Sequence, residues 1–162
     1  MAILQSMLKK YSENTLVGNP DQEKKLILLD TGPIVAFFDA SDHYHHACIE
    51  LLKTVNEPIL TTWPVLTEAF YLLGFSWKAQ DNLWEFIIRG GVDILSLNDT
   101  EQTRCRQLME KYSDLPMDLA DGSLVALAES QKIKKVFTLD HKDFKIYKPA
   151  RIKYFILLPA RI

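Results

Sequence analysis

Cysteine is scarce in this chain: 162 residues contain two, Cys48 and Cys105. They show no paired spacing, which excludes a disulfide-built framework. Both fall in helix-like segments and are expected as reduced thiols that pack rather than react. Long apolar runs are missing too. None approaches the roughly 20 residues that a membrane-crossing helix needs. Near the amino end, Lys9 and Lys10 follow the short apolar stretch Met1 to Leu8, the reverse of a secretory signal. A cytoplasmic location with no membrane association is therefore expected. Internal repeats and low-complexity segments are also lacking, and so is an excess of charge of one sign. The 19 basic and 21 acidic residues leave a net charge of −2, which argues neither for nor against a nucleic-acid partner.

What is present is ordinary in amount and uneven in placement. With 48% hydrophobic residues, a chain of this length can bury one real core without staples. From Lys132 to Ile162 there are nine Lys/Arg against two acids, Asp140 and Asp143, leaving ten basic and nineteen acidic residues before them. The tail is thus +7 and the rest −9. Such asymmetry suits a polyanionic partner. Lysines that solvate the surface and protect edge strands explain it equally well.

Residues 1–24 show no clear period, and Gly18-Asn19-Pro20-Asp21 is a turn cluster. They are expected as an extension before a single domain over 25–162. Leu26 to Leu29 is apolar on both faces and stops at Asp30, as in a central strand of a parallel sheet. Gly32-Pro33 opens a helical segment to Phe38. Amphipathic spacing predicts a helix from His45 to Val55, and Pro58 to Thr61 reads as a strand. Pro64 opens a helix to about Leu73. Leu83, Trp84, Ile87 and Ile88 mark another, ended by Gly90-Gly91. Val92 to Leu95 is a third strand. Asp99 reads as the N-cap of a helix to about Tyr112, and Met117 to Gln131 as a further helix. Lys135 to Leu139 and Tyr154 to Leu158 complete the strands. Strands alternating with helices give an α/β fold, a central parallel β-sheet flanked by helices with right-handed crossovers.

Sites in such sheets form beyond the carboxyl ends of the strands. Asp30 and Asp140 each follow an apolar strand and should emerge at that rim. Glu68 interrupts the apolar stripe of its helix beside Val65 and Leu72, which is costly unless a cation pairs with it. An arginine could be that cation. Asp118 and Asp121, three apart, face one way at a helix start. Asp118 could instead be a simple N-cap. Gly122 beside them costs about 1 kcal/mol of helix stability relative to Ala and lets another chain or a ligand approach. Carboxylates about 4 Å apart repel by roughly 4 kcal/mol per pair at an effective dielectric of 20. The set therefore needs retained protons or a multivalent cation. Oxygen ligands with no cysteine nearby favour Mg²⁺ or Mn²⁺ over zinc, and such an ion can activate a water beside a phosphodiester.

Leu-Leu-Asp30-Thr31, Glu68 in an apolar helix, Asp121 in LADGSLVALAE and Asp140 in VFTLDHKDF together resemble the PIN-domain ribonucleases, with the VapC-like toxins as the branch named. The resemblance runs from about Leu26 to Pro159. It implies that Asp30 and Asp121 bind the metal most directly and that Glu68 and Asp140 complete the catalytic cluster. Thr138 matches a hydroxyl position of the family's T-x-D stretch. Asp118 is extra to the four-acid set, as a further ligand or a cap. The resemblance also implies metal-dependent RNA cleavage leaving a 3′-hydroxyl and a 5′-phosphate, homodimers, and, in toxin operons, an antitoxin that blocks the site. Thr31, Thr138, Lys142 and Lys145 are taken as substrate-binding residues, and Lys148 also flanks the rim.

Other features read more plainly. His43, His45 and His46 are expected at a solvated helix end rather than on a metal. Trp63, Trp77 and Trp84 are expected as core or dimer contacts, and Asp143 as a loop residue. A haloacid-dehalogenase-type phosphatase needs a second Asp where Gly32 stands. A receiver module needs paired acids after the first strand, where Leu29 precedes Asp30, and a phosphoacceptor Asp after a middle one, where Leu95-Ser96-Leu97 follow. The remaining alternative to an enzyme is a non-catalytic PIN-like module that binds RNA or protein.

Overall fold

The computed structural model describes residues 25–160; the amino-terminal extension expected over 1–24 lies outside them. The chain runs β1 (Ile27–Leu29), α1 (Thr31–Phe38), α2 (His45–Thr54), β2 (Ile59–Thr62), α3 (Trp63–Leu72), a 3-10 turn (Leu73–Phe75) and α4 (Trp77–Ile88). It continues through β3 (Asp93–Leu95), α5 (Asp99–Lys111), α6 (Leu119–Gln131), β4 (Lys135–Phe137), α7 (His141–Ile146) and β5 (Ile156–Leu158). All five strands are parallel, in the order β3-β2-β1-β4-β5. The α/β class and the parallel sheet are as the sequence predicts.

The apolar β1 run reads as doubly covered because it is: Ile27, Leu28 and Leu29 are all fully buried. Strand order reverses at β1. The chain steps outward from it to β2 and β3, then returns to lay β4 on its other side. The carboxyl ends of β1 and β4 therefore flank a switch point, where parallel sheets open a crevice. α6 packs across this end through a Thr62–Ser123 hydroxyl pair at 2.6 Å.

Several boundaries differ from the reading of the sequence, each for a local reason. The N-cap of α5 is Asn98, not Asp99: Asn98 and Glu101 form a reciprocal capping box. β4 stops at Phe137, two residues early, because Thr138 turns its hydroxyl to Asp30. Asp143 lies in α7 rather than in a loop, since Asp140 caps a short helix with its side chain. The tryptophans are not core residues; Trp77 is 70% exposed. His43 and His46 are exposed, as expected, whereas His45 spends Nδ1 on the carbonyl of Ala36 at 2.7 Å. Both cysteines are free and buried, and burial pushes the Cys48 thiol up to about 12.

Two glycines matter to packing. Gly122 faces α5, where a Cβ would meet Cys105 Sγ at 3.0 Å and Met109 Cγ at 3.2 Å. The close approach expected there is the protein's own helix, not a ligand. Gly91, after the left-handed Gly90 (φ +75), leaves a space filled by Phe86, whose Cε2 would lie 2.2 Å from a Cβ. Phe86 is fully buried and has little room to yield. Gly91→Ala is expected to cost about 1–3 kcal/mol by overpacking. An unchanged denaturation midpoint at unchanged slope would refute this.

Candidate active site

Asp30 stands where β1 ends and caps α1. Its Oδ1 accepts the N–H of Thr31 at 2.8 Å and its Oδ2 the hydroxyl of Thr138 at 2.7 Å. The Thr138 hydroxyl oxygen in turn accepts the N–H of Asp140 at 2.9 Å. The Thr138 side chain, 108 residues from Asp30 in sequence, therefore ties the first acid to the fourth. Glu68 enters from α3, and its Oε2 accepts the Thr31 hydroxyl at 2.7 Å. Asp121 enters from the first turn of α6, and its Oδ2 accepts the hydroxyl of Tyr147 at 2.8 Å.

Thus three acids are each held by a neutral hydroxyl. Among the described residues none of Asp30, Glu68, Asp118, Asp121 or Asp140 is in an ion pair with a lysine or arginine. The arginine that could have explained Glu68 is not there; Thr31 is. The hydroxyls of Thr31 and Thr138, read from sequence as substrate contacts, point at carboxylates. Asp118 is a cap, since its Oδ1 accepts the N–H of Asp121 at 2.9 Å. Lys142 and Lys145 lie exposed on α7, and Lys148 just beyond it.

Electrostatics follow from this arrangement. Burial raises Asp30 to about 6, against its two hydrogen bonds, and the charges of Glu68 and Asp118 raise it further. Burial, then the charge of Asp30, raises Asp121 to about 7; Tyr147 opposes this, and Asp118 and Asp140 add to it. The five acids therefore share one field with no cation of the described chain to offset it. Among the described residues no three acids, histidines or cysteines close into a ready-made metal cage. The donors gathered at the rim are carboxylate oxygens, a chemistry that suits hard cations such as Mg²⁺ or Mn²⁺ better than zinc.

Tyr147 is the residue that the sequence did not give away. It lies 26 positions from Asp121, in a stretch whose period betrays no helix. Only the short helix capped by Asp140 carries it back to the rim.

A family profile described as the PIN domain matches residues 27–149. The chain belongs to the PIN-domain family. The matched span covers every PIN-domain acid named above. Among curated proteins, ribonuclease VapC26 of Mycobacterium tuberculosis is 23% identical over 135 residues, covering 82% of this chain and all of the relative. Among solved structures, VapC20 of M. tuberculosis, described as a sarcin-ricin loop cleaving toxin, matches with a TM-score of 0.60 at 17% identity. That match covers 68% of this chain and 86% of the other. VapBC2 of Rickettsia felis, solved bound to a promoter DNA fragment, matches at 0.56 and 20% identity, over 82% and 96% of the two chains. A toxin-antitoxin complex of Klebsiella pneumoniae matches at 0.56 and 17%, over 80% and 99%. These likenesses confirm the single PIN fold.

Proposed function

We propose that this PIN domain is a ribonuclease, the toxin of a type II toxin-antitoxin pair, acting in the cytoplasm on RNA. The observation that carries the reading is the shared acid rim, where buried Asp30 and half-buried Asp121 are raised to about 6 and about 7 with no cation of the described chain to neutralise them. Asp30 and Asp121 would hold Mg²⁺ or Mn²⁺ most directly, with Glu68 and Asp140 completing the set. Asp118 would serve from its free oxygen while its other oxygen caps α6. The ion, when bound, supplies an activated water at neutral pH and charge for the phosphodiester.

The chain's own part is positioning. Thr138 and the Thr31 N–H hold Asp30, and the Thr31 hydroxyl holds Glu68. Lys142 in the first turn of α7 and Lys145 in its last, both exposed, would take phosphates of the bound strand. The test is cleavage of labelled single-stranded and transfer RNA by purified protein with Mg²⁺, with Mn²⁺ and with EDTA. Cutting in EDTA, or none with either ion by protein free of inhibitor, counts against the reading.

The partner part of the proposal is a homodimer and an antitoxin; the antitoxin is supported by the K. pneumoniae neighbour, itself a toxin-antitoxin complex. Tyr71, Phe75, Trp77 and Ile88, on α3, the 3-10 turn and α4, expose large apolar side chains to solvent. Scattered apolar residues are normal on a surface, but a concentration on consecutive elements suits a covered face. A second copy is the occupant that the tryptophans suggest. Sedimentation should give twice the chain mass for wild type and the single mass for Ile88→Glu; a wild-type monomer at tens of micromolar removes the dimer.

A further inference from the structure

Tyr147 does more than fill space. It is 3% exposed and is the C-cap of α7, its N–H bonded to the Asp143 carbonyl at 3.1 Å. Its ring is wedged between Tyr112 (5.3 Å between centroids) and Phe144 (5.5 Å). The next residue is pinned as well, since Lys148 N–H donates to the Tyr112 hydroxyl at 2.8 Å. A ring held this way delivers its hydroxyl to one place, Oδ2 of Asp121. Among the described residues no donor reaches the other oxygen of Asp121.

We infer that Tyr147 is a positioning residue for Asp121: its hydroxyl fixes one carboxylate oxygen so that the other is presented to a divalent cation. The inference rests on the metal-dependent reading above and adds a residue to it. The same helix that ends in Tyr147 begins at Asp140, so α7 sets the third and fourth acids at a fixed separation. A partner that orients a ligating carboxylate commonly changes metal affinity by about 10–100-fold when removed. The simpler alternative is a buried phenol that has found an acceptor. In that case its loss affects stability and leaves cation binding alone.

Tyr147→Phe separates the two, because it keeps the ring against Tyr112 and Phe144. Tyr112→Phe is the control: it removes the neighbouring hydroxyl, which bonds Lys148 and not Asp121. Mn²⁺ binding to the full chain, followed by the paramagnetic resonance of the free ion, is compared for wild type, both variants and Asp121→Asn. Melting in EDTA reports folding. Tyr147→Phe is expected to weaken Mn²⁺ binding about tenfold or more. The Mn²⁺ concentration for half-maximal RNA cleavage should move by the same factor, with the plateau nearly kept. Tyr112→Phe should leave Mn²⁺ affinity as in wild type. Equal affinity in Tyr147→Phe and wild type overturns the positioning role and spares the metal reading. Equal weakening in both variants overturns it too, as general loosening. A wild type that binds no Mn²⁺ overturns the inference together with the metal reading.

Discussion

Asp30→Asn is expected to lower RNA cleavage by about a thousandfold, equivalent to about 4 kcal/mol of transition-state stabilisation, while leaving the fold intact. The fold survives because asparagine can keep both hydrogen bonds. Its carbonyl oxygen accepts the Thr31 N–H in place of Oδ1. Its amide can donate to the Thr138 hydroxyl oxygen once that hydroxyl turns its proton away. What is lost is the negative charge at the centre of the acid rim. Asp121→Asn should behave alike, since Asp121 shares that field. The measurement is cleavage by purified variants in Mn²⁺, prepared identically, with circular dichroism as the folding control. Residual cutting at the wild-type rate in both would mean a contaminating nuclease, and the non-catalytic module would become the better reading. Loss of cutting with loss of structure would leave the roles of these acids to metal-binding measurements on the same proteins.

In EDTA the protein should melt higher at pH 5 than at pH 8, by about 5–10 °C. The folded state raises Asp30 from 3.8 to about 6, by burial and then the charges of Glu68 and Asp118 against its two hydrogen bonds, and Asp121 from 3.8 to about 7, by burial and then the charge of Asp30. A carboxyl raised on folding binds its proton more tightly in the folded state. The stability this brings is fully present below the unfolded value and is lost as pH rises through the folded value. The window is therefore about pH 4 to 7. For Asp30 alone the whole window corresponds to about 3 kcal/mol, of which about 1.4 kcal/mol falls between pH 5 and pH 8; Asp121 adds to it there, and a domain of this size moves by about 2–4 °C per kcal/mol. The two acids interact, so their effects overlap rather than add. Asp143, raised mainly by burial, works in the same direction. Asp39, Glu57 and Glu129 are lowered and matter only at more acid pH. His141, lowered by burial, opposes the trend below its ordinary 6.5 but is partly exposed. Asp30→Asn should shrink the pH 5 to pH 8 gap, and Mn²⁺ at pH 7.5 should raise the wild-type melting point by mass action. A melting point in EDTA that climbs steadily from pH 5 to pH 8 would show that these buried acids do not govern stability.

How far the sequence could be read depended on the range of each signal. Central strands announce themselves because burial on both faces makes them continuously apolar, as at Ile27–Leu29. The acids at Asp30 and Asp140 were legible because each follows such a run, and Glu68 because it breaks an apolar helix face. Short-range side-chain chemistry was harder to see. Asn98 rather than Asp99 caps α5, because a reciprocal bond to Glu101 decides between neighbours that look alike. The six residues of α7 are too few for a period to show. Thr31 and Thr138 stand out in the sequence as hydroxyls beside the acids, but only the structure shows that they bond to carboxylates, Glu68 and Asp30. Tyr147 could not have been found from spacing at all, since its meaning lies in a bond to another helix.

The return of the chain to β1 also sets an order in time. Asp30 is synthesised before its partner hydroxyl on Thr138, which comes 108 residues later, directly after β4, the strand that pairs with β1. Asp140 and the tyrosine that holds Asp121 follow later still. A chain emerging from the ribosome thus carries its first acids unassembled until β4 and α7 follow. Premature termination before Lys135 leaves β1 with no strand on that side and Asp30 without Thr138. The rim is completed only as β4 and α7 arrive, so a product that stops short of them inherits the first acids without inheriting the site.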